Sequence, residues 1–284
     1  MRVEIERPAD ANEFLERAGP FLLEREAEHN LIFGIAGRLR TDPRTYGEDP
    51  YFAIASEDER VLGVVLRTPP HNLILSLVDD ESALEPLAAD VRSTFASLPG
   101  AIGPSSAAAA FVRIWQAQTG ATGRIAMRER TYRAEEAIVP EGVPGSMRPY
   151  EKRDRELVIG WMDAFVKEAM PTAPPEDATG WLDRREADPE SGIVIWEDGG
   201  PVSFGGFGGP TPNGIRIGPI YTPPDLRRRG YASALTATLT AQLLESGRRF
   251  CFLFTDLANP TSNSIYQRIG YRPVADFEQW AFDD

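Results

Sequence analysis

The alternation of hydrophobic and polar residues divides the chain into two successive cycles of strands and helices. Alternating positions predict strands, and apolar residues three or four apart predict helices. In the first cycle Asp10 is expected to cap a helix, and Ser82 and Glu85 have the spacing of a helix-capping pair. The elements predicted there are strands at 2–6, 51–56, 61–67, 72–78 and 124–132, helical segments at 21–39, 82–95 and 106–118, and, with a loop as the alternative, a short strand near 101.

The segment 135–145 (EEAIVPEGVPG) separates the two cycles, because its prolines, its glycines and its lack of an apolar period are typical of a domain boundary. After it, Thr179 is expected to cap a helix through Glu186. Both cycles have the same order, so the sequence predicts two copies of one mixed α/β fold, each a twisted mixed sheet flanked by helices, in domains at 1–135 and 145–284. The elements predicted in the second cycle are strands at 146–148, 193–197, 202–208, 215–221, 249–256 and 272–282, and helices at 154–170, 179–186 and 231–245, with a short helix after 259.

The composition is that of a folded protein of two domains, with 284 residues, 42% hydrophobic and 26% charged. The net charge of −13 makes nucleic acid and anionic membranes poor partners and favours a neutral or cationic substrate, with solubility as the plainer interpretation. The one cysteine, Cys251, lies in an apolar strand, so we expect a core position and neither an internal disulfide nor a cysteine metal site. The charged start of the chain and the lack of a long apolar run lead us to expect a cytoplasmic protein.

The stretch 215–231 (IRIGPIYTPPDLRRRGY) joins a predicted strand to the helix at 231–245 through a short basic loop. A helix N-terminus presents unpaired backbone N–H groups and the positive end of the helix dipole, which favour an anion. Gly230 has no Cβ where the backbone must approach that anion, and the arginines at 227–229 can form charge-assisted hydrogen bonds with phosphate. The loop therefore has the chemistry of a diphosphate site, with a solvated helix cap as the alternative. It matches neither the P-loop nor the Gly-x-Gly-x-x-Gly pattern.

The pattern Arg227-x-x-Gly230-x-Ala232 resembles the acyl-CoA signature of the GCN5-related N-acetyltransferase (GNAT) superfamily. A second stretch, 259–271, resembles the other half of that family's CoA site, with an asparagine at Asn259 and a tyrosine seven residues on at Tyr266. Both halves occur in the family's order, and the resemblance covers about half of the chain. It implies tandem GNAT-like domains, with the catalytic one at 145–284 and a degenerate one at 1–135.

The resemblance implies that acetyl-CoA is the acyl donor and that it binds where the strands at 215–221 and 249–256 splay apart. It implies no bound metal. Tyr266 is then the expected general acid for the leaving thiolate, since a phenol has a pKa near ~10; ring packing is its plainer interpretation. A backbone N–H of Ile220 or Tyr221 is the expected oxyanion donor. The implied cofactor-binding residues are Gly218, Ile220, Tyr221, Thr222, Arg227, Arg228, Arg229, Gly230, Tyr231, Ala232, Ser233 and Asn259, the last with a helix cap as the alternative.

The general base has no candidate with a spacing argument. Many members of the family place a glutamate on the strand before the cofactor loop, but that strand has none here. Glu168, Glu197 and Asp284 carry carboxylates in the same half, and we name none of them as the base. In the first cycle the acidic stretch 79–81 stands where the second has its arginines, so we expect a degenerate site there, with an active second site as the alternative.

The sequence thus predicts an acetyl-CoA-dependent N-acetyltransferase that transfers an acetyl group to the primary amine of a small molecule by direct attack in a ternary complex. One alternative is acetylation of a protein or peptide amine. Another is a non-catalytic module that binds and senses acyl-CoA. A homodimer is left open as an alternative to a monomer.

Overall fold

The structure is a computed structural model, and it describes residues 3–78, 80–169 and 177–283. Asp79 of the acidic stretch and Asp284, considered above as a base, lie outside the described residues, as does the predicted last residue of the helix at 154–170. No helix in the described ranges is both long enough and apolar enough to cross a membrane.

The chain divides into two compact units. Unit 1 contains Met1–Thr131, Thr255–Ala258 and Val274–Asp284, and unit 2 contains Tyr132–Phe254 and Asn259–Pro273. The first crossing between the units therefore lies close to the proline-rich segment at 135–145. The C-terminal segment, however, belongs to unit 1 and not to the unit that precedes it in sequence. The functional domains at 1–135 and 145–284 stay a prediction.

The first cycle of the chain supplies most of unit 1. Its elements are β1 (Glu4–Glu6), α1 (Ala11–Glu24), α2 (Asn30–Thr41), β2 (Tyr51–Glu57), β3 (Arg60–Arg67), β4 (Leu73–Leu75), α3 (Leu84–Thr94), β5 (Gly100–Pro104), α4 (Ser105–Thr119) and β6 (Thr122–Ala134). Strands β1 to β4 pair antiparallel with their neighbours, and β4 pairs parallel with β5.

The second cycle has the same element order. It consists of β7 (Ser146–Pro149), α5 (Arg155–Ala169), α6 (Ala178–Ala187), β8 (Gly192–Glu197), β9 (Pro201–Gly208), β10 (Gly214–Tyr221), α7 (Tyr231–Glu245), β11 (Phe250–Asp256), α8 (Pro260–Arg268) and β12 (Arg272–Asp283). Strands β7 to β10 pair antiparallel and β10 pairs parallel with β11, which repeats the pairing of the first cycle. The prediction of two copies of one mixed α/β fold is confirmed.

The last strand of the chain completes the sheet of unit 1. Residues Phe277 to Ala281 of β12 pair antiparallel with Gly100 to Pro104 of β5. The first cycle's own last strand, β6, lies on the other side of β12 and is held there by charged side chains: the guanidinium of Arg130 binds the carboxylate of Asp276, with Nη2 2.9 Å from Oδ2. A strand from the far end of the sequence therefore fills the position beside β5.

Three local predictions were wrong for identifiable reasons. The helical segment at 21–39 is broken between α1 and α2, where the buried His29 ring bonds the carbonyl of Leu22 and accepts the N–H of Leu77 at 3.1 Å. The cap before α3 is Asp80 and not Ser82, and the cap of α6 is Asp177 and not Thr179. In both places a carboxylate two residues earlier accepts the N–H of the residue we had expected to be the cap.

Two apolar clusters form the interior of unit 2, one on each side of its sheet. The first lies under α7 and includes Leu235, Leu239 and Cys251. The second lies under α5 and α6 and includes Trp181 and Phe204. Cys251 is buried, and burial raises the pKa of its thiol to about 12, so the sulfur stays protonated as a core side chain. The predicted core position of this cysteine is confirmed.

Candidate active site

Strands β10 and β11 diverge after a short common segment. Their parallel ladder joins Gly214, Ile215 and Arg216 to residues 250–252. Beyond it, β10 continues to Tyr221 paired with β9 alone, while β11 runs on through Phe254 in the same unit. The two strands separate toward their carboxyl ends, where ligands of open α/β sheets bind. This is the splay that the resemblance implied.

The divergence coincides with an irregularity in β10. The register between β9 and β10 shifts between Ile217 and Ile220, and Gly218 lies between them with a φ of +145°. The guanidinium of Arg185 on α6 donates to the carbonyl of Gly218 at 3.0 Å and to that of Phe207 on β9. Arg185 thus braces the irregular segment from the α6 side of the sheet, with its guanidinium 4.8 Å above the ring of Trp181.

The loop after β10 leads to a helix start that no side chain caps. Gly230 is the N-cap of α7, with a φ of +89°, and its carbonyl accepts the N–H of Ala234 at 2.9 Å. The N–H groups of Tyr231, Ala232 and Ser233 come before that bond and have no acceptor within the helix. A Cβ on Gly230 would lie 2.9 Å from Cγ2 of Val143, so the position requires glycine for its backbone angle and for its space.

The three arginines of the loop have different surroundings. Arg228 and Arg229 are exposed, and Arg228 has a φ of +66°. Arg227 instead bonds back to the end of β10: its Nε lies 2.8 Å from the carbonyl of Thr222, and its Nη2 lies 2.7 Å from Oε2 of Glu168 on α5. The structure therefore places the Arg227 guanidinium at the carboxyl end of β10, in an ion pair with Glu168.

Two other residues that were predicted to bind the cofactor, Tyr231 and Thr222, use their hydroxyls for hydrogen bonds within the protein. The hydroxyl of Tyr231 donates to Oδ2 of Asp198 at 2.6 Å, and this bond to a carboxylate raises the pKa of the phenol. The hydroxyl of Thr222 lies 2.9 Å from that of Ser203, which donates to the carbonyl of Tyr221 at 2.8 Å. The hydroxyls of both residues are therefore occupied within the protein, and what Tyr231 offers a ligand is its backbone N–H at the start of α7.

Tyr221, the last residue of β10, lies next to two charged side chains and the ring of Trp161. Its hydroxyl is 3.4 Å from Oε1 of Glu168, and the guanidinium of Arg227 lies 5.6 Å from the centre of its ring. Burial, followed by the negative charge of Glu168, raises the pKa of the Tyr221 phenol. The ring of Trp161 on α5 lies 6.4 Å from that of Tyr221 and stacks on Phe204.

Glu168 is the residue whose position sequence reasoning missed. It was one of three carboxylates considered as the base, but nothing connected it with Tyr221, 53 residues away. Glu197, another of the three, is held by Arg148, whose Nε lies 2.9 Å from it. The signal that could have found Glu168 is its place in the last turn of α5, the helix that packs against β10.

Tyr266 on α8 is partly buried between two other tyrosines. Its ring centre lies 6.4 Å from that of Tyr132 and 6.1 Å from that of Tyr271. Its hydroxyl has no hydrogen-bond partner among the residues that the structure describes, and burial raises the pKa of the phenol to about 12. At neutral pH Tyr266 is therefore a protonated donor whose proton is not committed to an acceptor in the described part of the chain.

Asn259 caps the N-terminus of α8. Its Oδ1 accepts the N–H of Ser262 at 3.1 Å, and its carbonyl accepts a bond of 2.8 Å from Nδ2 of Asn263. The cap that was the alternative interpretation of Asn259 is thus present, and a contact with the cofactor stays a prediction. Helix α8 begins after β11 as α7 begins after β10, and because these strands are parallel both helix starts lie at the same edge of the sheet.

The corresponding positions of unit 1 carry different chemistry. Where α7 has an uncapped start, the turn before α3 has the carboxylate of Asp80, which accepts the N–H of Ser82 at 2.8 Å. This hydrogen bond lowers the pKa of Asp80, so a negative charge occupies the helix start. If Gly103-Pro104 is equivalent to Asn259-Pro260, Ala110 takes the place of Tyr266, and it is buried. Among the described residues of either unit, no group of three histidine, cysteine or carboxylate side chains could hold a metal ion.

Comparisons with known proteins identify the class. Residues 158–271 match the family model described as Acetyltransferase (GNAT) family. No protein of curated function matches the sequence. This match assigns residues 158–271 to a GNAT acetyltransferase domain, and the family implies acetyl transfer from an acyl-CoA.

Solved structures show the same fold over the whole chain. A GCN5-related N-acetyltransferase of Sphaerobacter thermophilus is 16% identical, with a TM-score of 0.63 over 99% of this chain and 95% of that one. A tandem GNAT protein from the clavulanic acid biosynthesis pathway is 11% identical, with a TM-score of 0.59 over 99% and 98%. A Drosophila protein is 13% identical, with a TM-score of 0.69 over 98% of both chains. At these identities the likeness establishes the tandem GNAT fold.

Proposed function

We propose that the protein is an acetyl-CoA-dependent N-acetyltransferase that acetylates the primary amine of a small molecule by direct attack. The observation that carries the proposal is the uncapped start of α7 at the carboxyl end of the diverging strand β10. The phenol of Tyr266, which has no hydrogen-bond acceptor within residues 3–78, 80–169 and 177–283, follows the neighbouring strand. An anion site, an open strand edge and a proton donor are the parts that acyl transfer from CoA needs.

In this proposal the backbone N–H groups of Tyr231, Ala232 and Ser233 bind the diphosphate of the acyl donor. Arg228 and Arg229 add positive charge at the rim, where they are exposed. The edge of β10 from Gly218 to Tyr221, which β11 does not cover, pairs with the amides of the donor's arm, and Thr222 follows directly after it. Backbone pairing of this kind holds the thioester at the end of the strand, beside Tyr221.

The reaction forms a bond between the amine nitrogen and the thioester carbonyl carbon and breaks the carbon–sulfur bond. The nitrogen loses a proton and the sulfur gains one, so no further reactant is required. The N–H of Ile220 or Tyr221 stabilises the oxyanion. Tyr266 donates to the leaving sulfur, and because its pKa is about 12 it acts mainly by a hydrogen bond that strengthens as negative charge develops.

Calorimetric titration with acetyl-CoA tests the site. Wild type is compared with Gly230→Asp, which places a carboxylate and a Cβ at the start of α7, and with Gly247→Asp at the other end of the same helix. Gly247 also has a positive φ, at +102°, and open space around it, so it is a matched control. We expect one molecule bound per chain, at least ~10-fold weaker binding to Gly230→Asp, and unchanged binding to Gly247→Asp.

Other outcomes are equally informative. Two molecules bound per chain would show that unit 1 keeps a site despite Asp80. No binding to the wild type would overturn the proposal. Binding without turnover of any small amine or peptide amine would favour the acyl-CoA sensor, and turnover of peptides alone would favour the protein acetyltransferase.

A further inference from the structure

The ion pair of Glu168 and Arg227 lies where the acceptor amine must arrive, at the carboxyl end of β10. We infer that Glu168 binds the ammonium group of the acceptor, and that in the free protein Arg227 occupies this acceptor position. The inference rests on the proposed acetyltransferase function and adds the charge of the substrate: a primary amine that binds as a cation. The bound ammonium loses one proton to water before its nitrogen attacks, and the second proton, lost as the amide forms, is balanced by the proton that the leaving sulfur gains.

The contacts of Glu168 match those that an ammonium ion would make. One carboxylate oxygen receives Nη2 of Arg227 at 2.7 Å, and the other lies 3.4 Å from the hydroxyl of Tyr221. An ammonium carries three N–H donors and no acceptor, so it can replace the guanidinium at Oε2 without loss of a hydrogen bond. The site already accommodates a cation in this structure.

Aromatic rings next to the carboxylate strengthen the case for a cation. The guanidinium of Arg227 lies over the Tyr221 ring, and Trp161 lies beside that ring on the same helix as Glu168. The faces of such rings attract a positive charge and give the carbon body of an amine an apolar surface. The net charge of −13 also favours a cationic substrate over an anionic one.

The pair is built so that it can separate. The side chains of Arg227 and Glu168 are 41% and 45% exposed, and an ion pair exposed to this degree contributes little net stability. The Nε of Arg227 is bonded to the carbonyl of Thr222, just before the loop that leads to the anion site at the start of α7. A diphosphate there attracts the guanidinium away from Glu168, so binding of the acyl donor uncovers the carboxylate for the acceptor.

The test compares Glu168→Gln with Asp163→Asn, an exposed carboxylate on the same helix. Turnover is measured with 2-phenylethylamine, which is a cation at neutral pH, and with aniline, which is neutral. We expect Glu168→Gln to raise KM for 2-phenylethylamine by about 10- to 100-fold, the range for a lost bond to a charged group, and to leave KM for aniline and the affinity for acetyl-CoA within a few-fold of wild type. Asp163→Asn should behave as wild type.

A second variant distinguishes two roles for Glu168: binding of the acceptor amine, or only a structural ion pair with Arg227. Arg227→Gln removes the cation that competes for Glu168, so KM for 2-phenylethylamine should fall or stay constant while acetyl-CoA binds more weakly. A rise in KM like that of Glu168→Gln would overturn the inference, because both variants would then act by breaking the pair. Tryptophan fluorescence titration of 2-phenylethylamine in the presence of CoA gives the same comparison without turnover.

Measurements of acetyl-CoA binding and amine binding distinguish a failure of this inference from a failure of the proposed function. If the wild type binds acetyl-CoA and amine binding is equal in wild type and Glu168→Gln, Glu168 is not the anchor although the enzyme assignment stands. If the wild type binds no acetyl-CoA, the proposed function fails first.

Discussion

Tyr266 packs edge-on against Tyr271, with the ring centres 6.1 Å apart and the ring planes at 63°. The two phenols lie side by side but differ in their hydrogen bonds. The hydroxyl of Tyr271 lies 2.8 Å from Oγ1 of Thr240, whereas that of Tyr266 has no partner among the described residues. One tyrosine thus completes the interior of unit 2 and the other keeps its proton available, so the pair gives a matched comparison.

The Tyr266→Phe variant should lose turnover and keep acetyl-CoA binding. Its phenol is the proposed proton donor to sulfur, and a positioned general acid contributes roughly 10²- to 10⁴-fold to a rate. Since the phenol acts here mainly as a hydrogen-bond donor, we expect a fall in kcat near ~10²-fold. Because burial raises its pKa to about 12, Tyr266 stays protonated up to about pH 11, so it should not cause a loss of activity between pH 7 and 10.

The control for that prediction is Tyr271→Phe. It removes a buried hydroxyl bonded to Thr240 and should lower the free energy of unfolding by ~1 kcal/mol without a comparable fall in kcat. Equal kcat values for the wild type and Tyr266→Phe would show that the ring of Tyr266 only packs against its neighbours.

The Arg185→Met variant should disturb the irregular segment of β10. Arg185 donates to the carbonyls of Phe207 and Gly218, and a methionine leaves both carbonyls without these charged donors. We expect a loss of ~1–3 kcal/mol in unfolding free energy and a fall in kcat/KM, because the strand that holds the thioester is less well fixed. Urea unfolding and steady-state kinetics measure the two effects.

Arg153→Met is the matched control for Arg185→Met. Arg153 is 66% exposed and pairs with the carboxylate of Glu151 at 3.0 Å, so its loss should change the free energy of unfolding by less than ~1 kcal/mol. If the two variants have equal kinetics, the brace between α6 and β10 has no part in catalysis.

The helices and strands of this fold could be predicted well where residues close in sequence determine where they begin and end. Helix α7 begins and ends at the predicted residues, because the double proline at 223–224 and Gly230 precede it and an apolar period runs through it. The caps could not be predicted as well. Asp80 and Asp177 compete for the N–H groups assigned to Ser82 and Thr179, and pattern alone does not rank neighbouring acceptors.

The contacts that define the site depend on the tertiary fold. The anion loop could be found because its residues are consecutive, whereas Glu168 meets Tyr221 only after α5 has packed against β10. The pairing of β12 with β5 joins residues more than a hundred and seventy positions apart, for example Phe277 and Pro104, and no local signal specifies it. The break before α2 is likewise set by a distant group, the N–H of Leu77.

The His29→Leu variant should destabilise unit 1. The imidazole lies 2.9 Å from the carbonyl of Leu22 through Nδ1 and accepts the N–H of Leu77 through Nε2. Leucine would leave the N–H of Leu77 without this acceptor, while the carbonyl of Leu22 would keep its bond of 3.3 Å from the N–H of Arg25. One unpaired backbone group of this kind costs about 1–3 kcal/mol, and we expect a loss of that size in the urea unfolding of the protein. His71→Leu, at an exposed ring, should cost less than ~1 kcal/mol, and equal losses in the two variants would contradict this account of the helix break.

The start of α5 depends on a buried ion pair whose strength changes with pH. Arg148 binds Asp154 through two hydrogen bonds of 2.7 and 2.9 Å, with side chains 15% and 5% exposed. The guanidinium of Arg148 lowers the pKa of Asp154, so the pair stabilises the folded state above pH ~4, where an unfolded aspartate is charged. This stabilisation is lost as pH falls through the lowered pKa.

The Asp154→Asn variant should therefore lose ~3–5 kcal/mol of unfolding free energy at pH 7, because it leaves Arg148 buried without this carboxylate, even though Arg148 keeps its bond to Glu197. The difference from wild type should begin to shrink as pH falls below ~4, where the unfolded wild-type carboxylate takes up a proton, and it should disappear once pH is below the lowered pKa of the folded carboxylate. Urea unfolding at pH 7, 5 and 3 measures this convergence. Asp183→Asn, which removes a 56% exposed partner of Arg155, should cost less than ~1 kcal/mol at every pH. A constant difference between Asp154→Asn and wild type down to pH 3 would mean that the asparagine acts through packing and not through charge.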